Sequence, residues 1–173
     1  MIIKFYLTFI IILFSSSAFS TSIRVIDFQN VIENNINISQ LYNLIDKDQI
    51  THKTKFKNDE INLKNELERI EKLNLILDPS ELEKEIENYN KKLNEFNEKI
   101  KKFNLHYELQ LNNFKNKIIN ITLEELKKYS EKNNIDLILD SNNYILSNNS
   151  INITELIEEQ VNKKKIEINF EKY

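Results

Sequence analysis

Residues 82–107, LEKEIENYNKKLNEFNEKIKKFNLHY, place apolar side chains at Leu82, Ile86, Tyr89, Leu93, Phe96, Ile100, Phe103 and Tyr107. The steps alternate four and three, a heptad repeat with a mean period of about 3.5 residues. Such a stripe covers one narrow face of a helix and buries itself against another helix. It continues through Leu111, Phe114, Ile118 and Ile121. Consecutive four-residue steps around Tyr107 form a stutter, which locally unwinds the supercoil.

The partner helix lies upstream. Ile38, Leu41, Ile45, His52, Phe56, Leu63, Leu67 and Ile70 make a second, weaker stripe, and Pro79, the single proline, separates the two. Asp78 is a capping residue, Pro79 fits the first helical position, and Glu81 stands three residues after the cap. One helix therefore ends near Leu73 and the next begins at Pro79. If they fold back antiparallel about residue 76, facing residues have numbers summing to about 152. Ile70 then meets Leu82, Leu67 meets Ile86, Leu63 meets Tyr89, Phe56 meets Phe96, Ile45 meets Tyr107, Leu41 meets Leu111 and Ile38 meets Phe114. Polar residues interrupt this pairing only near Gln49 and Glu60. At 1.5 Å per residue, a second helix of about 50 residues reaches roughly 75 Å.

Composition agrees with long elements. The 173 residues include no Gly, one Pro and no Cys. Turns are therefore few, and neither a disulfide nor a thiolate site exists. The net charge is −3, with Lys and Glu interspersed, which suits a solvated helical surface and supplies no basic patch for nucleic acid. At the front, Lys4, the apolar run Phe5–Phe14 and the small residues Ala18 and Ser20 read as an export signal cleaved after Ser20. The run is too short to span a bilayer, which needs about 20 apolar residues. The expected location is the periplasm.

The flanks differ in character. Ile23–Phe28 reads as a strand leading into a short helix through Val31 and Ile32. Ile135–Asp140 reads as a second strand, Asn142 and Asn143 as a turn, and Tyr144–Leu146 as a third strand. A closing helix starts at Asn152 or Thr154 and runs through Leu156, Ile157 and Val161. Three short strands cannot close a core alone, and their open edges favour association between chains.

In this order the features resemble the Skp/OmpH family of periplasmic chaperones. The resemblance is carried by Ile23–Phe28 with Val31 and Ile32, by Asn134–Asp140 with Asn143–Leu146, and by Ile151–Ile157. It implies a mostly α fold with a small β base, in which a long antiparallel coiled-coil hairpin is set into a strand-built trimerisation body. The body would comprise residues 21–36 and 133–163, the hairpin 37–132 with its tip near 74–79, and a tail, 164–173, expected to be disordered. Ile23, Val25, Phe28, Leu137, Leu139 and Ile145 would form the base of a homotrimer. Its hairpins would enclose unfolded outer-membrane β-barrel proteins without ATP. The acidic sequence pI of about 5.6 departs from the strongly basic members, so no lipopolysaccharide site is carried over. An envelope spacer or assembly adaptor is the alternative; it would explain the hairpin but not the strand-bearing ends.

Catalytic chemistry has little support in the residues. His52 and His106 are the two histidines, expected on the flank of the core and on the surface. Asp136 and Asp140 are expected to be sheet-face or turn carboxylates rather than an acid–base pair. Without Gly there is no phosphate-binding loop or nucleophile elbow, and no cofactor or metal is implied. The acceptor triplets starting at Asn37, Asn120 and Asn152 are chance matches in an Asn-rich chain. Candidate client contacts are apolar residues off the stripe: Leu75, Ile76 and Leu77 at the tip, and Leu105 and Leu109 opposite the stripe. Closure of the turn and packing on a neighbouring chain are the structural explanations that compete for these two groups.

Overall fold

The computed structural model describes residues 21–173, so the export signal and its cleavage point lie outside the described residues. The order of elements is β1 (Ile23–Ile26), α1 (Phe28–Glu33), α2 (Ile36–Leu73), α3 (Pro79–Asn133), β2 (Leu137–Asp140) and α4 (Thr154–Asn162). The chain is mostly helical, with a long hairpin and a two-stranded sheet.

The hairpin forms for local reasons. The Asp78 carboxylate accepts from the backbone N–H groups of Ser80 and Glu81 at 2.9 and 3.1 Å, satisfying two donors that a helix start leaves without partners. The 38 residues of α2 and 55 of α3 correspond to about 57 and 82 Å. The longer helix thus overhangs the shorter one and carries its apolar face into the base. At the far end of α3, Asn134 adopts the left-handed conformation at φ 51° and ψ 51° and sends its N–H to Ser130 O. Asn is one of the few residues that tolerate this geometry.

Along the arm, Phe56 lies between Phe96 and Phe103, with ring centroids 6.4 and 4.9 Å away. These are equivalent stripe positions one heptad apart, with Ile100 between them, so Phe56 fills a hole on that face as a knob does in a coiled coil. The Phe56–Phe96 pairing is thus real, but the nearer neighbour lies one heptad on, and the register is slipped from the simple fold-back. Inter-helix ion pairs Arg69–Glu85, Lys92–Glu66 and Lys99–Asp59 flank the seam. Phe103, Tyr107, Phe114 and Ile118 of α3 bury with Ile38, Leu41 and Ile45 of α2 in one cluster.

The base is built on α3. β1 and β2 run parallel with Ile23 opposite Leu137 and Ile26 opposite Asp140. The other side of β1 makes a single bridge, Val25 to Asn152. The third strand expected at Tyr144–Leu146 does not form: the chain makes a tight turn at Ser141–Asn143 and continues irregularly. The place beside β1 that such a strand could take is occupied by Asn152. Helices α1 and α4 close over α3, burying Val31, Ile32, Ile157 and Val161. Polar side chains pin the joints. Fully buried Asn35 caps α2 and donates to Asn162 Oδ1 at 3.0 Å, and Thr154 Oγ1 accepts from the Asp27 N–H at 2.8 Å.

The tail also differs from expectation. Residues 164–173 lie extended against the hairpin, with Ile166, Ile168 and Phe170 half-buried on the core. The alternation of these three residues gives the segment one apolar face, which the exposed flank of the core accepts.

Candidate functional site

At the tip, the chain leaves α2 through Asn74, whose N–H bonds Ile70 O, and the amides of Ile76 and Leu77 both reach Leu73 O. This tight turn leaves Leu75 88% and Ile76 79% exposed, and only Leu77 is half-buried. The turn is therefore closed by its backbone, and two large aliphatic side chains project into solvent. Just below, Leu67, Ile70, Leu82, Ile86 and Tyr89 line an open groove between the helices. On the outer face of α3, Leu105 and Leu109 are 46% and 52% exposed and one turn apart. Tip and outer face lie far apart along one arm, so the sequence candidates form separate patches rather than one pocket.

The base residues divide. Val25 is buried within the chain, and Ile23, Phe28 and Leu139 are half-buried. Leu137 is exposed and Ile145 is fully so, as is most of Leu146. Only the last group offers free apolar surface.

Three carboxylates, Asp136, Asp140 and Glu125, serve structure. Asp140 Oδ1 accepts from the Phe28 N–H at 3.0 Å, and that bond is the main cause holding its carboxyl below the usual range. Asp136 exchanges hydrogen bonds with the Ser22 backbone. The two aspartates thus tie β2 to β1 and to the start of α1. Glu125, buried on α3, meets Lys128 at 2.8 Å and Lys164 at 2.9 Å, and Lys128 first, then Lys164, lowers its pKa. No cluster of His, Cys, Asp or Glu among the described residues could hold a metal. No described helix is long and apolar enough to cross a membrane.

One constellation escaped the sequence reading. The Tyr173 ring stands edge-on to His52, Phe103 and His106 at 5.4, 5.2 and 5.6 Å. Its backbone N–H donates to Asp48 Oδ2 at 3.0 Å, and the same oxygen accepts from the Tyr107 hydroxyl at 2.7 Å. The tyrosine bond, more than any other influence, keeps the Asp48 carboxyl below its usual range. Burial, reinforced by Asp48, pushes the Tyr107 hydroxyl well above its own. Both histidines are thus walls of an aromatic seat for the C-terminal residue. The one signal available beforehand was the alternation of Ile166, Ile168 and Phe170.

Comparison with known proteins agrees with this architecture. A crystal structure of a candidate outer membrane chaperone (OmpH-like) from Caulobacter crescentus CB15 superposes with a TM-score of 0.69 at 10% identity, covering 88% of this chain and 90% of that one. At that identity the likeness is one of fold. No curated protein matches the chain. The family described as outer membrane protein (OmpH-like) matches residues 22–161, which takes in both strands, the whole hairpin and nearly all of α4. The chain therefore belongs to the OmpH-like family.

Proposed function

We propose that this protein is a non-enzymatic holding chaperone of the periplasm that shields unfolded outer-membrane β-barrel proteins, acting as a homotrimer whose hairpins enclose the client without ATP. The observation that carries this reading is the exposure of large aliphatic residues at the tip and outer face of a long arm in a member of the OmpH-like family. Singly exposed apolar residues are ordinary, but neighbouring ones such as Leu75 with Ile76 and Leu105 with Leu109 make small patches of the kind that mark interaction sites. Dispersed patches suit a client that has no fixed shape, because many weak contacts within one enclosure add through effective concentration. Exchangeable contacts also let the client leave once its own folding offers deeper burial.

The test is dilution of a urea-unfolded β-barrel protein into buffer with and without this protein, followed by light scattering. Suppressed aggregation at near-stoichiometric amounts, without nucleotide, is the expected result. Unchanged aggregation would leave the envelope spacer as the better reading. Leu75→Ser with Ile76→Ser at the tip should weaken the suppression while leaving helicity unchanged.

A further inference from the structure

At its ends the tail is held by the Lys164–Glu125 ion pair and by the Tyr173 ring in its aromatic seat; the remaining contacts sort into two kinds. The first kind grips its main chain. The Gln110 amide faces the backbone of Glu171, accepting from its N–H at 2.8 Å and donating to its C=O at 2.9 Å. His106 Nε2 lies 2.9 Å from that carbonyl oxygen, Lys117 Nζ donates to Glu167 O at 3.1 Å, and Asp48 accepts from the Tyr173 N–H. The second kind takes alternate side chains. Ile166, Ile168 and Phe170 rest half-buried on the core, whereas Glu167, Asn169 and Glu171 between them are exposed.

A main-chain grip is indifferent to sequence, since every residue except Pro offers the same N–H and C=O. The two-point bond of Gln110 reproduces what a neighbouring strand gives, and the alternation is that of a strand with one apolar face. Between the Lys164 and Tyr173 anchors the seat therefore selects a pattern rather than a particular peptide. Strands of membrane β-barrels carry that pattern, apolar and polar in alternation over about ten residues. We propose that the face of α3 from Phe103 to Lys117, with Asp48 of α2, is a binding seat for extended client segments, and that residues 164–173 are its resident, displaceable occupant. This rests on the chaperone function proposed above.

Tethering makes the tail an effective competitor. A flexible segment held in cis competes at a local concentration of order millimolar, which excludes short free peptides. A long client engaging several arms through its other segments overcomes that competition by the same arithmetic. The tail then keeps the apolar seat covered when no client is present.

The experiment reads the tail directly. In the full protein, hydrogen exchange at the Glu171 and Tyr173 amides is followed with and without an unfolded β-barrel protein. Displacement predicts a loss of protection of about tenfold or more at those amides in the complex, while amides inside α3 stay protected. A complex in which the tail amides remain protected overturns the proposal. A second arm uses the full-length Phe170→Asp, Tyr173→Ala variant, which opens the seat, and a labelled peptide of residues 164–173. The peptide should bind this variant about tenfold or more tighter than the unaltered protein, and adding Gln110→Ala should reverse the gain. Equal binding of a scrambled peptide that loses the alternation overturns the seat as described. Should no complex with the β-barrel protein form, the chaperone function fails, and the peptide arm still decides the seat. Preference for the alternating peptide upholds it, and no preference overturns it.

Discussion

Asp48 Oδ2 accepts from both the Tyr107 hydroxyl and the Tyr173 backbone N–H, so one carboxylate couples the two hairpin helices and the tail. Its pKa is lowered in the fold, chiefly by Tyr107. The stabilisation it brings is therefore present above the unfolded value, about 3.9, and is lost as pH falls through the lower native value. Tyr107 has the opposite shift, upward, from burial first and Asp48 second. Its share is present below the unfolded value, about 10, and is lost as pH rises beyond it. Tyr107→Phe should remove the alkaline dependence and reduce the acid one, because the Tyr173 N–H still donates to Asp48. The expected loss at neutral pH is about 1–2 kcal/mol, toward the low side for a hydrogen bond to a charged group because Asp48 is partly exposed. Urea midpoints from pH 2 to 11 at one protein concentration should show flatter acid and alkaline limbs than the unaltered protein.

Helix ends were legible because their signals are local. Asp78-Pro79 fixes the start of α3, and the end of α2 at Leu73 follows from the same turn. The stripe named the buried face correctly toward the base, whereas Leu67 and Ile86 near the tip stay 39% and 42% exposed, and the fold-back rule set Phe56 only against Phe96, although Phe103 is nearer. A periodic stripe specifies a face and leaves the axial offset to knob packing, which depends on side-chain shape across the seam. The failed third strand and the seated tail share a cause. Each is decided by which edge or face the rest of the molecule leaves open, and neither Tyr144–Leu146 nor Ile166–Phe170 records that locally. Two substitutions test the element-level account. Phe56→Ala should cost about 3 kcal/mol, at the lower end for a phenylalanine because the arm is open to solvent, and should raise exchange along the distal arm more than in the base. Asn134→Val forces a β-branched residue into the left-handed region at φ 51° and should lower stability by about 1–2 kcal/mol, while Asn134→Gly should be neutral or stabilising. Thermal unfolding of the pair checks this, since only the valine variant should melt earlier.

In the whole molecule, the sheet has one side still open. β1 is flanked by β2 on one side and bridged by Asn152 on the other, and no strand among the described residues meets the outer edge of β2. Exposed backbone of this kind readily pairs with another chain, and the base also exposes Leu137, Ile145 and Leu146. In the trimer proposed here these groups meet neighbouring chains, and light scattering should give three times the chain mass. Leu137→Lys should lower that mass while leaving the helicity of the hairpin intact, because Leu137 is exposed within the chain and supports no part of its core. A monomer for the unaltered protein would exclude enclosure of a client between arms. The same measurement resolves Leu105 and Leu109. If they face the client, Leu105→Ser with Leu109→Ser leaves the mass unchanged and weakens aggregation suppression. If they pack on a neighbouring arm near the base, the double variant lowers the mass, and client contact passes to the tip and the seat beneath the tail.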